Sequence, residues 1–135
     1  MNNSAHRLRI LTLSRLRQGC EYDAFIVMAR DARLRSKSLQ LDGVSLFDGQ
    51  RICTLVQGPA SAVNAWRQEA VDDRRLELVW TLFEQPFETS GSNSCWRVGY
   101  CDVHDLDAFE TDSGLRGDAA LRTWQGVLAR AVLVT

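Results

Sequence analysis

The stretch 41–59 constrains the fold most strongly, because it reads as two strands joined by a tight turn. The runs 44–47 and 51–56 are apolar and rich in residues that suit strands. Between them, Asp48-Gly49 favours a two-residue hairpin turn, since glycine readily adopts the positive φ that such a turn needs. Gly58-Pro59 predicts a sharp exit from the second strand into a helix that opens on proline.

Hydrophobic periodicity predicts further elements on both sides of this hairpin. They are a strand at 8–13, a helix at 21–34, a helix at 59–71, a strand at 76–83, a strand at 96–101 and a helix at 117–130. Polar connections are expected at 35–40 and 87–95, the latter with a flexible tip at 90–94, and Pro86 is expected to end the fourth strand. A helical turn is expected around 105–109.

The predicted order β-α-β-β-α-β-β-α indicates an α+β fold, a ferredoxin-like βαββαβ unit with an extra strand and a C-terminal helix. We expect one main domain over residues 1–102 and a C-terminal extension over 103–135, whose one helix packs on the sheet. Alternation along the strand at 76–83 places residues 78, 80 and 82 on one face and residues 79, 81 and 83 on the other.

The sequence predicts where the last helix packs, because both faces of the predicted sheet are apolar. The two crossover helices should cover one face, and the last helix should cover the other, over Leu11, Leu13, Cys53 and Leu55. Trp124 lies on the apolar stripe of that helix. It is interpreted either as a core aromatic closing this face or as part of a protein-binding or dimer surface.

Charge and cysteine content exclude several classes of function. The net charge of −1 gives no electrostatic case for binding nucleic acid or an anionic membrane. No apolar stretch of about 18 residues predicts a membrane span, and no signal peptide is evident, so a cytoplasmic protein is expected. The four cysteines fit no zinc spacing and are expected to be reduced and mostly buried. No acid–base or nucleophile constellation suggests an enzyme, and no metal site is expected at His104.

Several residues together resemble the BLUF domains, the sensors of blue light using FAD, over about residues 6–102. The matching positions are Leu11, Ser14-Arg15, Ala32-Arg33, Gly43, Asp48-Gly49, Gly58-Pro59, Asp73-Arg74-Arg75, Glu84 with Pro86, and Trp96 with Gly99. In that family a tyrosine, an asparagine and a glutamine surround the flavin ring. This resemblance implies the same fold and locates the corresponding flavin-pocket positions in this chain.

Those positions carry different side chains here. The tyrosine, asparagine and glutamine positions correspond to Thr12, Ser36 and Thr54, and the basic residue that meets the flavin tail corresponds to Arg75. The Trp-x-Met pattern of the family's last strand reads Trp96 and Val98. Threonine has no phenol to donate an electron, and neither threonine nor serine offers the donors and acceptors of an amide.

The resemblance therefore implies a small BLUF-like regulatory protein that acts through protein–protein interaction and carries no cofactor. Its partner would be a separate output protein, or a second copy in a homodimer. The alternative is an FAD-binding blue-light photoreceptor with an altered pocket, acting in signal transduction. The two interpretations differ in whether flavin binds.

Overall fold

The computed structural model of the protein describes residues 6–20, 23–87, 95–110 and 115–134. The elements are β1 (Arg7–Leu16), α1 (Ala24–Leu39), β2 (Asp42–Phe47), β3 (Arg51–Pro59), α2 (Ala60–Asp72), β4 (Leu76–Phe87), β5 (Trp96–Tyr100), a 3₁₀ turn (Asp107–Phe109), α3 (Gly117–Arg130) and β6 (Val132–Val134). None of the described helices is long and apolar enough to cross a membrane. The predicted α+β order is confirmed, with β6 added at the end.

Within the described ranges, the six strands form one sheet in the order β4-β1-β3-β2-β5-β6. Neighbouring strands are antiparallel except β2 and β5, which are parallel. The register places Thr12 of β1 opposite Thr54 of β3, and Ser45 of β2 opposite Thr54 on its other side. The hydroxyl side chains of Thr12, Thr54 and Ser45 therefore lie in one row across the three central strands.

Each face of the sheet has its own hydrophobic core. One core lies between the sheet and the two crossover helices, and includes Ile10, Phe25, Val56 and Val63. The other lies beneath α3, which covers the opposite face as predicted. Trp124 is completely buried in this second core, so its interpretation as a core aromatic is confirmed.

The end predicted for the first helix is wrong. Residues 35–39 continue α1, and the helix ends at Gln40, whose φ of 58° gives a left-handed cap. The polar run is helical because Ser36 and Leu39 face inward while the charged and hydroxyl side chains between them face water. The start predicted at residue 21 and the loop tip predicted at 90–94 lie outside the described residues.

Strand β4 also departs from its predicted pattern. It continues through Pro86, which is tolerated because β4 is an edge strand and the missing N–H costs no ladder bond there. Two register shifts against β1 interrupt its alternation. As a result Leu82 and Phe83 both join the core beneath α3, and Leu78 is half-exposed with a φ of 56°.

The hairpin turn lies one residue later than predicted. The N–H of Asp48 donates to the carbonyl of Arg51 (3.1 Å), so Gly49 and Gln50 form the loop. Gly49 has a φ of 104°, which supports the predicted role of glycine. The carboxylate of Asp48 accepts from the backbone N–H groups of Gln50 and Arg51 at 2.9 and 2.7 Å. This aspartate therefore closes the turn through its side chain as well as its backbone.

Strand β6 was not predicted, because three residues directly after a helix give no periodic signal. It pairs with β5 at one edge of the sheet. Gly99 permits the approach, since a Cβ at this position would lie 2.6 Å from the carbonyl oxygen of Val132. The side chains of β6 are exposed.

Candidate functional site

A cavity of about 170 Å³ lies between the sheet and the two crossover helices. Its floor is formed by β1, β2 and β3, one wall by α1 and the other by α2. Phe25, Met28 and Ala29 line it from α1, and Trp66 and Ala70 line it from α2. These side chains make the walls apolar, whereas the floor and the mouth carry polar groups.

Hydroxyl groups define the floor. Thr12, Ser14, Ser45 and Thr54 all line the cavity. The hydroxyls of Ser45 and Thr54 share a hydrogen bond of 2.9 Å, and Ser14 donates to the carbonyl of Ile52 at 3.4 Å. Strand alternation explains the set, because β1, β2 and β3 each turn their hydroxyl-bearing residues toward α1 and α2.

Four of the six predicted site positions come together at this cavity: Thr12, Thr54, Arg75 and Trp96. The other two are not among its lining residues. Ser36 is buried in the last turns of α1, where its hydroxyl donates to the carbonyl of Arg33 (2.9 Å). Val98 is buried in the adjoining core. Four of the predicted positions therefore line the cavity, and the other two are buried outside its lining.

Trp96 closes the cavity from β5. Its six-membered ring lies against Gly43 of β2, where a Cβ would come within 2.3 Å of Cζ3. The ring of Trp66 lies 5.9 Å away from that of Trp96, centroid to centroid. Trp96 is 6% exposed, and its Nε1 has no hydrogen-bond acceptor among the described residues. The site thus contains a buried donor whose hydrogen bond is not made within the described fold.

Charged side chains form the mouth. Arg75 donates to both carboxylate oxygens of Asp73, with Nε–Oδ1 at 3.0 Å and Nη2–Oδ2 at 2.8 Å. This hydrogen bonding lowers the pKa of Asp73 and raises the pKa of Arg75. Arg35 of α1 pairs with Glu69 of α2 across the opening. Both guanidinium groups are therefore already engaged by carboxylates of the protein.

Sequence reasoning missed two elements of this site. Ser45 was not singled out, although alternation along β2 places it on the same face as Gly43 and could have found it. The tight approach of Trp96 to Gly43 could not have been found that way, because it depends on the parallel pairing of β2 with β5.

A second charged cluster links the hairpin turn to the segment after β5. Arg51 is buried and donates to Asp48 (2.9 Å), Asp107 (2.6 Å) and Glu110 (2.9 Å). Burial by itself lowers the pKa of Arg51, but these hydrogen bonds and the charge of Asp48 raise it above its usual value. Glu110 is also bound by Arg15. All charges in this cluster are paired, so it has the character of a structural clamp.

The cysteines and His104 give no metal centre in the described part of the chain, where no group of three or more ligating side chains converges. The expectation of mostly buried thiols is only partly met, because Cys53 is buried, Cys20 and Cys101 are half-buried and Cys95 is exposed. Burial raises the pKa of Cys53, and that of Cys101 to about 12. These two thiols are consequently protonated at neutral pH.

Comparisons with known proteins place this architecture. No family model matches the chain, and no curated protein matches it by sequence. Among solved structures, it is similar to BlrB, described as a BLUF protein in its dark state, with a TM-score of 0.72 at 16% identity, covering 94% of this chain and 98% of that one. It is equally similar to BlsA in a photo-activated state, with a TM-score of 0.72 at 12% identity, covering 90% and 94% of the two chains.

A third match is to a bacterial light-regulated adenylyl cyclase, with a TM-score of 0.61 at 10% identity. It covers 92% of this chain but only 33% of the cyclase chain. These similarities show that the chain has the fold of a BLUF domain, as the sequence resemblance implies. The cavity lies in a BLUF-like fold that carries hydroxyl side chains at its floor.

Proposed function

We propose that this chain is a small cytoplasmic regulatory protein of BLUF-like fold, which binds a separate output protein and performs neither catalysis nor flavin photochemistry. The observation that carries the proposal is the hydrogen bond of 2.9 Å between Ser45 and Thr54. It commits the side chain at the family's glutamine position to a neighbouring strand. A threonine hydroxyl held in this way offers little hydrogen bonding to a ring in the cavity.

The other two polar positions support the same conclusion. Thr12 provides no phenol beside the cavity, so it lacks the electron donor that the family's photochemistry needs. Ser36 donates to its own helix at Arg33 and is not among the cavity-lining residues. The described cavity lining includes no tyrosine, asparagine or glutamine. The residues present therefore do not fit a flavin ring.

Cavity size adds a separate argument. Pockets for drug-sized ligands usually enclose about 300–1,000 Å³, whereas this cavity measures about 170 Å³. A three-ring isoalloxazine would require α1 and α2 to move apart. The pairing of Arg35 with Glu69 joins those helices at the mouth and opposes such a movement. We therefore propose that the protein carries no cofactor.

Partner binding is supported by β6, which is an edge strand of the sheet formed by the described residues. Val132, Leu133 and Val134 are 69%, 38% and 42% exposed. An exposed apolar edge strand offers both backbone groups and side chains to another chain. We propose an output protein as the occupant, and a homodimer is the alternative that a mass measurement in solution would identify.

The deciding experiment is a visible absorption spectrum of the purified protein, with and without added FAD, before and after blue illumination. We expect no flavin absorbance to be retained after gel filtration and no light-induced shift. A reversible red shift of bound flavin would overturn the proposal.

A second candidate function is an FAD-binding blue-light photoreceptor. The observation that favours it is the cavity between α1 and α2, which is lined by Arg75 and Trp96. The triple variant Thr12→Tyr, Ser36→Asn, Thr54→Gln tests whether this cavity can still accept the ring. More flavin bound than in the wild type would mean that only the polar groups were lost; no gain would mean that the helices have closed over the site.

A further inference from the structure

A row of cations lies on α1 beside the edge strand β6. Arg33 donates from Nε to the carbonyl of Trp96 (3.2 Å) and from Nη2 to that of Val134 (3.5 Å), so it joins α1 to the first residue of β5 and the last of β6. Arg30 and Lys37 lie three residues before and four residues after it, which places all three on one face of the helix. Arg30 and Lys37 are exposed. This face of α1 therefore carries three positive charges at the edge of the sheet.

These charges are not neutralised within the described part of the chain. Arg30, Arg33 and Lys37 form no ion pair with a described carboxylate. The described acidic residues of α1 lie elsewhere, since Asp23 is at its N-cap and Asp31 lines the cavity. By contrast, six other arginines each bind a carboxylate: Arg15, Arg35, Arg51, Arg67, Arg75 and Arg130. The row is therefore an uncompensated positive patch, although the net charge of the chain is −1.

Strand β6 adds an apolar edge next to this row. Val132 and Val134 pair with Tyr100 and Val98 of β5. These two partners belong to or pack against the core beneath α1 and α2, so Val132 and Val134 lie on the face of the sheet that α1 covers. Leu133 lies on the opposite face. One side of β6 pairs with β5, and no described strand pairs with its other side. Its outward backbone groups can therefore pair with an added strand.

The row of cations runs along β6. The ring of Phe25 lies 6.0 Å from that of Tyr100, centroid to centroid, near the end of β5. Arg33, about two turns later in α1, bonds to Trp96 at the start of β5, so α1 runs opposite to β5 and parallel to β6. With a rise of about 1.5 Å per residue, Arg33 and Lys37 are separated by about 6 Å along the helix. Alternate residues of a strand are about 6.8 Å apart. Carboxylates at alternate positions of an added strand therefore match this spacing.

We propose that β6 binds an extended segment of the output protein that carries carboxylates on one face and apolar side chains on the other. The carboxylates would lie over Val132 and Val134 and pair with Arg30 and Lys37, and the apolar side chains would lie beside Leu133. The inference rests on the proposed binding of an output protein at β6. A second copy is a poorer occupant, because antiparallel pairing of two β6 strands would bring two positive rows together on the same face of the sheet.

The probe is the peptide Ac-Glu-Val-Glu-Val-Glu-Val-Glu-NH₂, and its matched control has lysine in place of each glutamate. ¹H–¹⁵N shifts and amide hydrogen exchange of the full chain are measured with each peptide. We expect the glutamate peptide to shift the signals of α1 and β6 and to slow amide exchange in β6, because the outward N–H groups gain acceptors. Raising the salt concentration should weaken this binding, and the lysine peptide should leave β6 unchanged.

Charge reversal separates the effect of this row from that of the overall charge. Arg30→Glu with Lys37→Glu should weaken binding of the glutamate peptide by about tenfold, since two exposed ion pairs become repulsive. Arg74→Glu with Arg122→Glu is the control, because it changes the net charge equally at two exposed arginines, in the turn before β4 and in α3. It should change binding by less than about twofold, since distant exposed charges are screened. Arg33 is left in place because it bonds to the carbonyl of Val134.

No binding of the glutamate peptide, equal binding of the two peptides, or shifts on α1 without slower exchange in β6 would overturn the inference. A dimer whose β6 amides are protected without peptide would overturn it as well, because a second copy would then occupy the edge. Larger shifts on α1 with a short DNA duplex than with the glutamate peptide would do the same. A parallel sample with FAD keeps the two proposals apart. A light-induced shift of bound flavin would overturn the proposed function, whereas failure of the glutamate peptide alone would leave that function standing.

Discussion

Removing the guanidinium of Arg51 is expected to produce a large loss of stability. Its side chain is 7% exposed, and that of Asp48 is completely buried. Arg51→Met keeps most of the aliphatic volume but leaves the Asp48 carboxylate without its cation. Breaking a buried ion pair by removing one partner costs about 3–5 kcal/mol. The substitution therefore acts on the clamp between the hairpin turn and the segment after β5.

The surroundings of the three carboxylates that Arg51 binds reduce the expected loss of stability to the lower end of that range. Asp48 keeps the hydrogen bonds from the backbone N–H groups of Gln50 and residue 51. Asp107, which is 58% exposed, can return to water. Glu110 keeps its bonds from Arg15. We therefore expect a loss of about 3 kcal/mol in the free energy of unfolding.

Urea unfolding at pH 7, followed by circular dichroism, measures this loss. With a slope of about 1–3 kcal/mol per molar urea for a small domain, the midpoint should fall by roughly 1–3 M. Arg67→Met is the control, because Arg67 binds Glu84 at a partly exposed position and should cost only about 0–1 kcal/mol. Equal midpoints for the two variants would refute the reasoning that burial makes Arg51 important.

The remaining predictions concern pH and two glycines. Burial by itself raises the pKa of Glu110, but hydrogen bonds from Arg15 and Arg51 lower it overall. Ionised Glu110 therefore stabilises the folded protein fully above its unfolded pKa of about 4.3, and this stabilisation is lost as the pH falls through the lower folded pKa. Glu110→Gln should flatten the fall of the urea midpoint below about pH 4.3, and an unchanged acid limb would contradict this assignment. Gly43→Ala should displace the Trp96 ring, lower the free energy of unfolding by about 1–3 kcal/mol and change the tryptophan fluorescence. An unaltered fluorescence spectrum and urea midpoint would contradict the close packing of Trp96 on Gly43. Gly99→Ala should detach β6, seen as faster hydrogen exchange at the β5–β6 pairs with the rest of the sheet still protected.

Much of the fold could be predicted because its signals are local. The alternation of residues 51–56 places Cys53 and Leu55 beneath α3 and Thr54 at the cavity, as the structure confirms. Prediction failed where tertiary contacts override local preference. Residues 35–39 are polar but helical because Ser36 and Leu39 are held inward, and β4 loses its alternation because it is shifted twice against β1.

The site was predictable only in part. The resemblance identified Thr12, Thr54, Arg75 and Trp96, which line one cavity although they come from four separate segments. It did not reveal that Thr54 is bound to Ser45, since that contact depends on the pairing of β2 with β3.

The sequence by itself determined the order of elements, the two apolar faces of the sheet and the threonine and serine side chains at the positions that the resemblance assigns to a flavin pocket. These follow from residue types and their spacing, which act over a few residues. Only the tertiary structure decided the volume of the cavity, the approach of Trp96 to Gly43 and the lack of an acceptor for its indole N–H among the described residues. Such properties depend on how distant segments pack together, because volume and hydrogen-bond satisfaction belong to the assembled side chains.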